Sequence, residues 1–342
     1  MTPRVTLADV AAKAGLSPTA ASLIMNGRSG TGLSEEARRR VLAAAKELGY
    51  RPNLMARGLR TERSATLGFV SDRIASTRYA GPMIRGALRA ARDRDHTLFV
   101  TETEGDPDEQ GRAVDALLDR GVDALIIASV TGRVDLPEEP PGLPVVLLNG
   151  ADLSNAYVSV LPDEVGGGRQ AAEHLIGLGH RRVHVLGVPA DLDDEDEVTV
   201  QVRRRVGSLF GVFARAGVET VPIHGESMTW DVEVGYEAAN HALRTDPDLR
   251  AVVALNDGLA AGAYEAFRHA GRRIPDDVSI VSFDDDDVVS FLRPQLTTVA
   301  LPFEAMGRRA VELALSGGMA DEYLEPMHLK VRGSTAPALR EP

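Results

Sequence analysis

The chain of 342 residues contains no cysteine, a single tryptophan and only 4% aromatic residues. Without thiols it has no disulfide framework, no zinc-thiolate site and no cysteine nucleophile, and their absence fits a reducing cytosol. Residues 1–30 hold no uninterrupted apolar stretch of the export-signal kind. No apolar run approaches the roughly 18 residues that a membrane span requires. A soluble cytoplasmic protein without a membrane partner is therefore expected. Phosphate-binding GxxxxGK[ST] loops, GxSxG elbows, HExxH pairs and zinc spacings are also missing, so the reading is of a non-enzyme with no catalytic residues, no cofactor and no metal.

What is present is unevenly distributed. Residues 1–63 carry 11 basic side chains against 5 acidic, whereas the remainder carries 27 against 45, and the whole chain sums to −12. A basic end attracts phosphates by counterion release while an acidic body repels them, which orients such a molecule on a duplex.

The basic end is rich in helix punctuation. Thr6 precedes an apolar run and Asp9 follows three residues later, the spacing of a capping box, so a first helix is expected from about Leu7 to Ala14. Gly15 suits a left-handed C-terminus, and Ser17-Pro18 supplies a hydroxyl cap and a proline where its missing N–H costs nothing. Two helices joined by so short a glycine-containing turn form a helix-turn-helix, whose second helix offers its first residues to the major groove. Thr19, Ala20 and Ser22 then face bases or phosphates. Asn26-Gly27 closes that helix, and Ser34, Glu35 and Glu36 open a third that ends at Gly49.

TLADVAAKAGLS, the Asn-Gly after the second helix, SEEARRRVLAAAKELGYRPN and the A-x-x-L from Ala56 to Leu59 together resemble the DNA-binding headpiece of the lactose-repressor (LacI/GalR) family of bacterial transcription factors. The resemblance implies a helix-turn-helix domain over 1–50, then a hinge over 51–63 that folds on operator DNA. In that hinge Asn53 would cap the helix, Ala56 and Arg57 would lie against the duplex, and Leu59 would wedge between base pairs, with an unstacking cost that extra contacts offset. One departure affects the operator. Leu23 stands where relatives carry a guanine-reading arginine, and leucine can touch only a thymine methyl.

Residues 64–342 alternate short apolar runs with helical stretches. The strand candidates lie at 65–70, 97–102, 124–129, 144–149, 183–188, 251–256 and 279–284, and the alternation predicts two α/β lobes of doubly wound parallel sheet. Ligands of such sheets bind beyond the carboxyl ends of the strands. Ser71, Asp72, Glu102, Thr103, Ser129, Asn149, Asn256, Asp257, Asp284 and Asp285 fall there, a set that suits a neutral polyhydroxylated ligand. The same region resembles the periplasmic-binding-protein-like core of the family. That likeness implies a homodimer on a palindromic operator, with lobe one at about 64–160 and 288–318 and lobe two at about 161–287 and 319–342. It places Tyr79, Asn149, Arg203, Trp230, Asn256 and Asp284 at effector-contacting positions beside Ser71. Trp230 lies five residues before Gly235-Tyr236, and an aromatic face packs well on the C–H face of a pyranose.

Three details stay open. Arg203, Arg204 and Arg205 are consecutive, so which guanidinium meets the ligand is undecided, with Arg203 the ungapped choice. Residues 191–197, six carboxylates in seven positions, read as a solvated charge run. Gly166-Gly167-Gly168 opens a helix and is no dinucleotide loop. The functional expectation is a sequence-specific transcription regulator, a repressor, controlled by a small carbohydrate held between lobes. A purine or other effector is the alternative, and a transporter's solute-binding protein is disfavoured because it needs an export signal and no basic headpiece. An enzyme using Asp284 to Asp287 lacks a partner motif.

Overall fold

The computed structural model describes residues 5–25, 32–50, 64–73, 80–129, 142–151, 156–194, 198–224, 230–319 and 321–338. The chain divides into two units, Met1–Ser64 and Ala65–Pro342.

The first unit holds α1 (Leu7–Ala14), α2 (Pro18–Met25) and α3 (Glu35–Leu48). Each boundary has a local cause. The Thr6 hydroxyl accepts from the Asp9 amide at 3.3 Å, and the Thr6 amide donates to the Asp9 carboxylate at 2.8 Å. Gly15 and Gly49 end α1 and α3 at φ 66° and 64°. The Ser34 hydroxyl accepts from the Ala37 amide at 3.2 Å, which starts α3. Val10, Ala11, Ala21, Ile24, Val41, Ala44 and Ala45 form a small core in which alanines let the helices approach closely.

The second unit contains two six-stranded sheets, each carried by its own helices. Lobe one has β1 (Thr66–Ser71), α4 (Ala80–Arg92), β2 (Thr97–Glu102), α5 (Pro107–Leu118), β3 (Ala124–Ala128), β4 (Val145–Leu148) and β5 (Val158–Pro162). Lobe two has α6 (Glu164–Gly177), β6 (Arg182–Val188), α7 (Val200–Arg215), β7 (Glu219–His224), α8 (Val232–Thr245), β8 (Ala251–Ala254), α9 (Asp257–His269) and β9 (Ser279–Asp284). Then come β10 (Thr297–Ala300), α10 (Phe303–Ser316), β11 (Glu322–Glu325) and β12 (His328–Lys330). The strand orders are β2-β1-β3-β4-β5-β11 and β7-β6-β8-β9-β10-β12, the same winding twice. Pairing is parallel throughout, except that β12 runs antiparallel to β10. Fully apolar strands such as β3 and β8 are buried along their whole length, as sheets covered on both faces require.

The chain passes between lobes three times, after β5, after β10 and after β11. This corrects the expected boundaries. Residues 297–300 belong to the second sheet, paired with β9, and residues 322–325 belong to the first, paired with β5. Each short strand joins whichever sheet has an open edge, and its own four residues do not specify which. α7 begins at Val200 because the Thr199 hydroxyl caps it at the Val202 amide, and this puts all three consecutive arginines on a helix. The glycine triplet does open α6. A side chain at Gly168 would come within 2.9 Å of the Arg205 carbonyl oxygen, so α6 and α7 touch through it. No helix among the described residues is long and apolar enough to cross a membrane, and among them no group of three or more His, Cys, Asp or Glu is placed to hold a metal ion.

Candidate functional site

Two surfaces carry the residues singled out from the sequence. On the headpiece, Thr6, Ser17 and Thr19 are exposed, while Ala20, Ser22 and Leu23 on α2 are half-buried. The Ser17 hydroxyl accepts from the Ala20 amide at 3.2 Å and so fixes the start of α2. The buried face of α2 is Ala21 and Ile24. Arg38, Arg39 and Arg40 on α3 are exposed and add positive charge to the same small domain. Asn26, Asn53, Ala56, Arg57 and Leu59 lie outside the described residues, as does Tyr79 of the core.

In the core, the carboxyl ends of the strands form two polar lips. The lip of lobe one is built from neutral groups and one aspartate. Ser71 closes β1, and its carbonyl oxygen accepts from the Thr103 amide at 3.0 Å. The Ser129 hydroxyl donates to Asp72 at 2.9 Å. Asn149 follows β4 at φ 58° and donates its side-chain amide to the Ser129 carbonyl oxygen at 2.8 Å. A non-glycine residue in the left-handed region costs of order 1–3 kcal/mol unless its surroundings hold it, and such strain gathers at functional sites. Here Asn149 is held from both sides, because its carbonyl oxygen accepts from Gln201 of α7, in lobe two, at 2.9 Å.

The lip of lobe two carries charge. Asn256 caps α9 through the Leu259 amide at 2.8 Å and donates to the Trp230 carbonyl oxygen at 2.9 Å. The Trp230 indole N–H is used internally, donating to the Gly187 carbonyl oxygen at 3.0 Å, so what the half-buried ring offers a ligand is its face. Asp284 ends β9 at φ 108° and Asp285 follows at φ 59°. β9 is the fourth strand of its sheet in chain order, as β4 is of the first, so both lobes end equivalent strands in a left-handed acidic or amide residue.

Three consecutive helical residues point about 100° apart, and the arginines divide accordingly. Arg205 is buried and meets both Glu164 oxygens at 2.7 Å through Nε and Nη2. Its Nη1 lies 3.7 Å from Asp284, and its guanidinium stacks 4.5 Å from the centre of the Phe283 ring. Burial by itself would lower its pKa, but Glu164, Asp284 and Asp257 outweigh burial and hold it above the ordinary value. Arg204 reaches Glu322 of β11 in lobe one at 2.8 Å, an ion pair between lobes. Arg203 is half-buried on the same helix. Glu164, Gln201 and Glu322 were missed from the sequence. Asp163 caps the helix that Glu164 opens, but nothing in the sequence ties Glu164 to Arg205, 41 residues on.

Between the lobes lies a cavity of about 290 Å³, lined by Asp284 to Asp287, the start of α4 at Pro82 and Arg85, and the start of α10 at Phe303 and Glu304. Asp257, also at a strand end, is fully buried and turned into the protein.

Comparisons with known proteins match both regions of the chain. Residues 6–53 match the model of bacterial regulatory proteins of the lacI family, and residues 172–335 match the periplasmic binding protein-like domain. The HTH-type transcriptional regulator CelR of Thermobifida fusca is 33% identical over 349 residues, covering 97% of this chain and 98% of that protein. A crystal structure of the lac repressor dimer bound to operator and the anti-inducer ONPF superposes with a TM-score of 0.78 at 26% identity, covering 98% of this chain and all of the other. A solved complex of the transcriptional regulator CelR with cellobiose gives a TM-score of 0.64 at 28% identity, covering 97% of this chain and 100% of that one.

Proposed function

Because the chain belongs to the LacI family of bacterial transcription regulators, we propose that it is a homodimeric repressor in the cytoplasm that leaves its operator when a small carbohydrate fills the space between its lobes. The observation that carries the carbohydrate reading is the make-up of the lips. Ser71, Asn149 and Asn256 place hydroxyl and amide groups at the strand ends, and Asn256 holds the backbone of the half-buried Trp230 at the same lip. A sugar presents hydroxyls that give and take hydrogen bonds and a C–H face that packs on an aromatic ring. The bound cellobiose of the CelR complex belongs to the same ligand class. Asp284 accepts from sugar hydroxyls in this reading, Arg203 closes over the ligand, and Arg205 forms the charged floor behind Asp284.

On the DNA side, α2 enters the major groove with Thr6, Ser17, Thr19, Ala20, Ser22, Leu23 and Asn26 against bases or phosphates. Asn53, Ala56, Arg57 and Leu59 form the minor-groove element. Effector must bind the operator-incompetent form better by ~1–3 kcal/mol to switch the protein. Fluorescence anisotropy on palindromic duplexes from the neighbouring promoter tests the reading. A sugar from a panel of cellobiose, ribose and galactose should release the duplex, and release by purines alone would overturn the carbohydrate assignment. In the same assay Leu59→Ala should weaken operator binding and leave effector affinity intact. Trp230→Ala should do the opposite.

A further inference from the structure

One strand-end carboxylate faces away from the space between the lobes. Asp257, adjacent to Asn256, has no exposed surface. Its Oδ1 accepts from the Ser282 hydroxyl on β9 and from the Thr298 hydroxyl on β10, the latter at 3.0 Å, and its Oδ2 accepts from the Asp286 amide at 2.8 Å. Thr298 in turn accepts from the Asp285 amide at 3.3 Å. The carboxylate therefore grips, directly or through one hydroxyl, both residues after the left-handed Asp284. From that turn the Asp284 carbonyl oxygen accepts from the Leu301 amide at 3.1 Å, at the crossing into lobe one.

Two successive non-glycine residues at positive φ do not persist unless their surroundings over-determine them. Lys330 and Arg332 hold the Asp285 side chain from β12 and the segment after it. The backbone on the far side of the turn is held through Asp257. We propose that Asp257 is a positioning residue of the effector site, fixing the Asp284-Asp285 turn so that the Asp284 carboxylate stands beside Arg205 at the space between the lobes. This rests on the reading of Asp284 as an effector contact.

The carboxylate has a second property that makes the role measurable. Burial, and then the negative charge of Asp284, push Asp257 up to about 7. The charged and titratable groups facing it are Asp284 and Asp286 from the end of β9, Arg205 from α7 and Tyr264 from its own helix, with Glu164 behind Arg205. A protonated acid must donate at one oxygen, and a neutral acid accepts from the remaining donors less strongly. A neutral group in its place, as in Asp257→Asn, therefore grips the turn less strongly.

Hydrogen–deuterium exchange on the full chain, read by mass spectrometry over peptides spanning 279–301, is the deciding experiment. In the wild-type protein the turn should be well protected at about pH 8, where Asp257 is ionised. In Asp257→Asn protection there, corrected for intrinsic exchange, should be several-fold lower, with other core peptides unchanged. An Asp257→Asn protein with wild-type protection of the turn overturns the proposal. In parallel, cellobiose titrated against Trp230 fluorescence should bind the variant about tenfold more weakly. If the wild-type protein ignores cellobiose, ribose and galactose alike, the carbohydrate reading fails, while the exchange arm still decides what Asp257 does.

Discussion

The two lobes share a winding but not a chemistry. Both have the same strand order, and in both the fourth strand ends in a residue with positive φ, Asn149 in one and Asp284 in the other. Lobe one steadies its turn with hydrogen bonds, the Asn149 amide on the Ser129 carbonyl oxygen and the Ser129 hydroxyl on Asp72. Lobe two steadies its turn with a buried ionic network of Glu164, Arg205, Asp284 and Asp257. One architecture can thus hold its turn by hydrogen bonds on one side and by an ionic network on the other, since the fold fixes where strands end and leaves the side chains there free to differ.

The sharpest way to break that comparison is to remove one charge from the buried network. Glu164→Ala leaves Arg205 buried without its bidentate partner, which typically costs 3–5 kcal/mol. Ser129→Ala, the neutral counterpart, removes one hydrogen bond and should cost about 1 kcal/mol. Urea midpoints of the two variants measure the contrast, and equal losses would show that the lobes are stabilised alike.

A smaller effect should be the same in both lobes. α4 and α10 meet at Gly86 and Gly307, where an added methyl would lie 2.0 Å from a backbone oxygen of the opposite helix. α8 and α9 meet likewise at Gly235 and Gly262, at 2.2 and 2.0 Å. Helix backbones this close leave no room for a Cβ, so Gly307→Ala and Gly262→Ala should each destabilise by about 1–3 kcal/mol through overpacking. Thermal unfolding of the pair checks it, and a large difference between them would mean that one helix pair yields more readily.

The smallest expected effect concerns the Arg204 to Glu322 pair that joins the lobes. Both side chains are about 30% exposed, so solvent screens the attraction. A double-mutant cycle with Arg204→Ala and Glu322→Ala should give a coupling of roughly 0.2–1 kcal/mol in stability. If the proposed switch moves the lobes, the effector concentration needed to release operator should shift further than stability does, because the pair spans their boundary. No shift in either quantity would remove the pair from any account of lobe closure.

Much of this was legible from residues close together in the chain. Thr6 with Asp9, Ser34 with Ala37, and the left-handed Gly15 and Gly49 set the three headpiece helices from within four positions of each boundary. The apolar runs of β1, β3, β6 and β9 announced parallel sheets, and the strand-end rule picked out Ser71, Asn149, Asn256 and Asp284. The missed features join distant positions. Glu164 and Arg205 are 41 residues apart, as are Asp257 and Thr298, while Arg204 and Glu322 are 118 apart. No periodicity or cap links such pairs.

The sequence alone therefore determined the basic helix-turn-helix, the repeated α/β core and the polar character of the strand ends, because caps, turns and hydrophobic runs act over a few residues. Tertiary structure decided three things: which sheet takes β10 and which takes β11, which arginine meets Asp284, and which strand-end aspartate turns inward. Those outcomes depend on open sheet edges, on the rotation of α7 against α6 and on buried charges finding partners, and each exists only once the chain has folded.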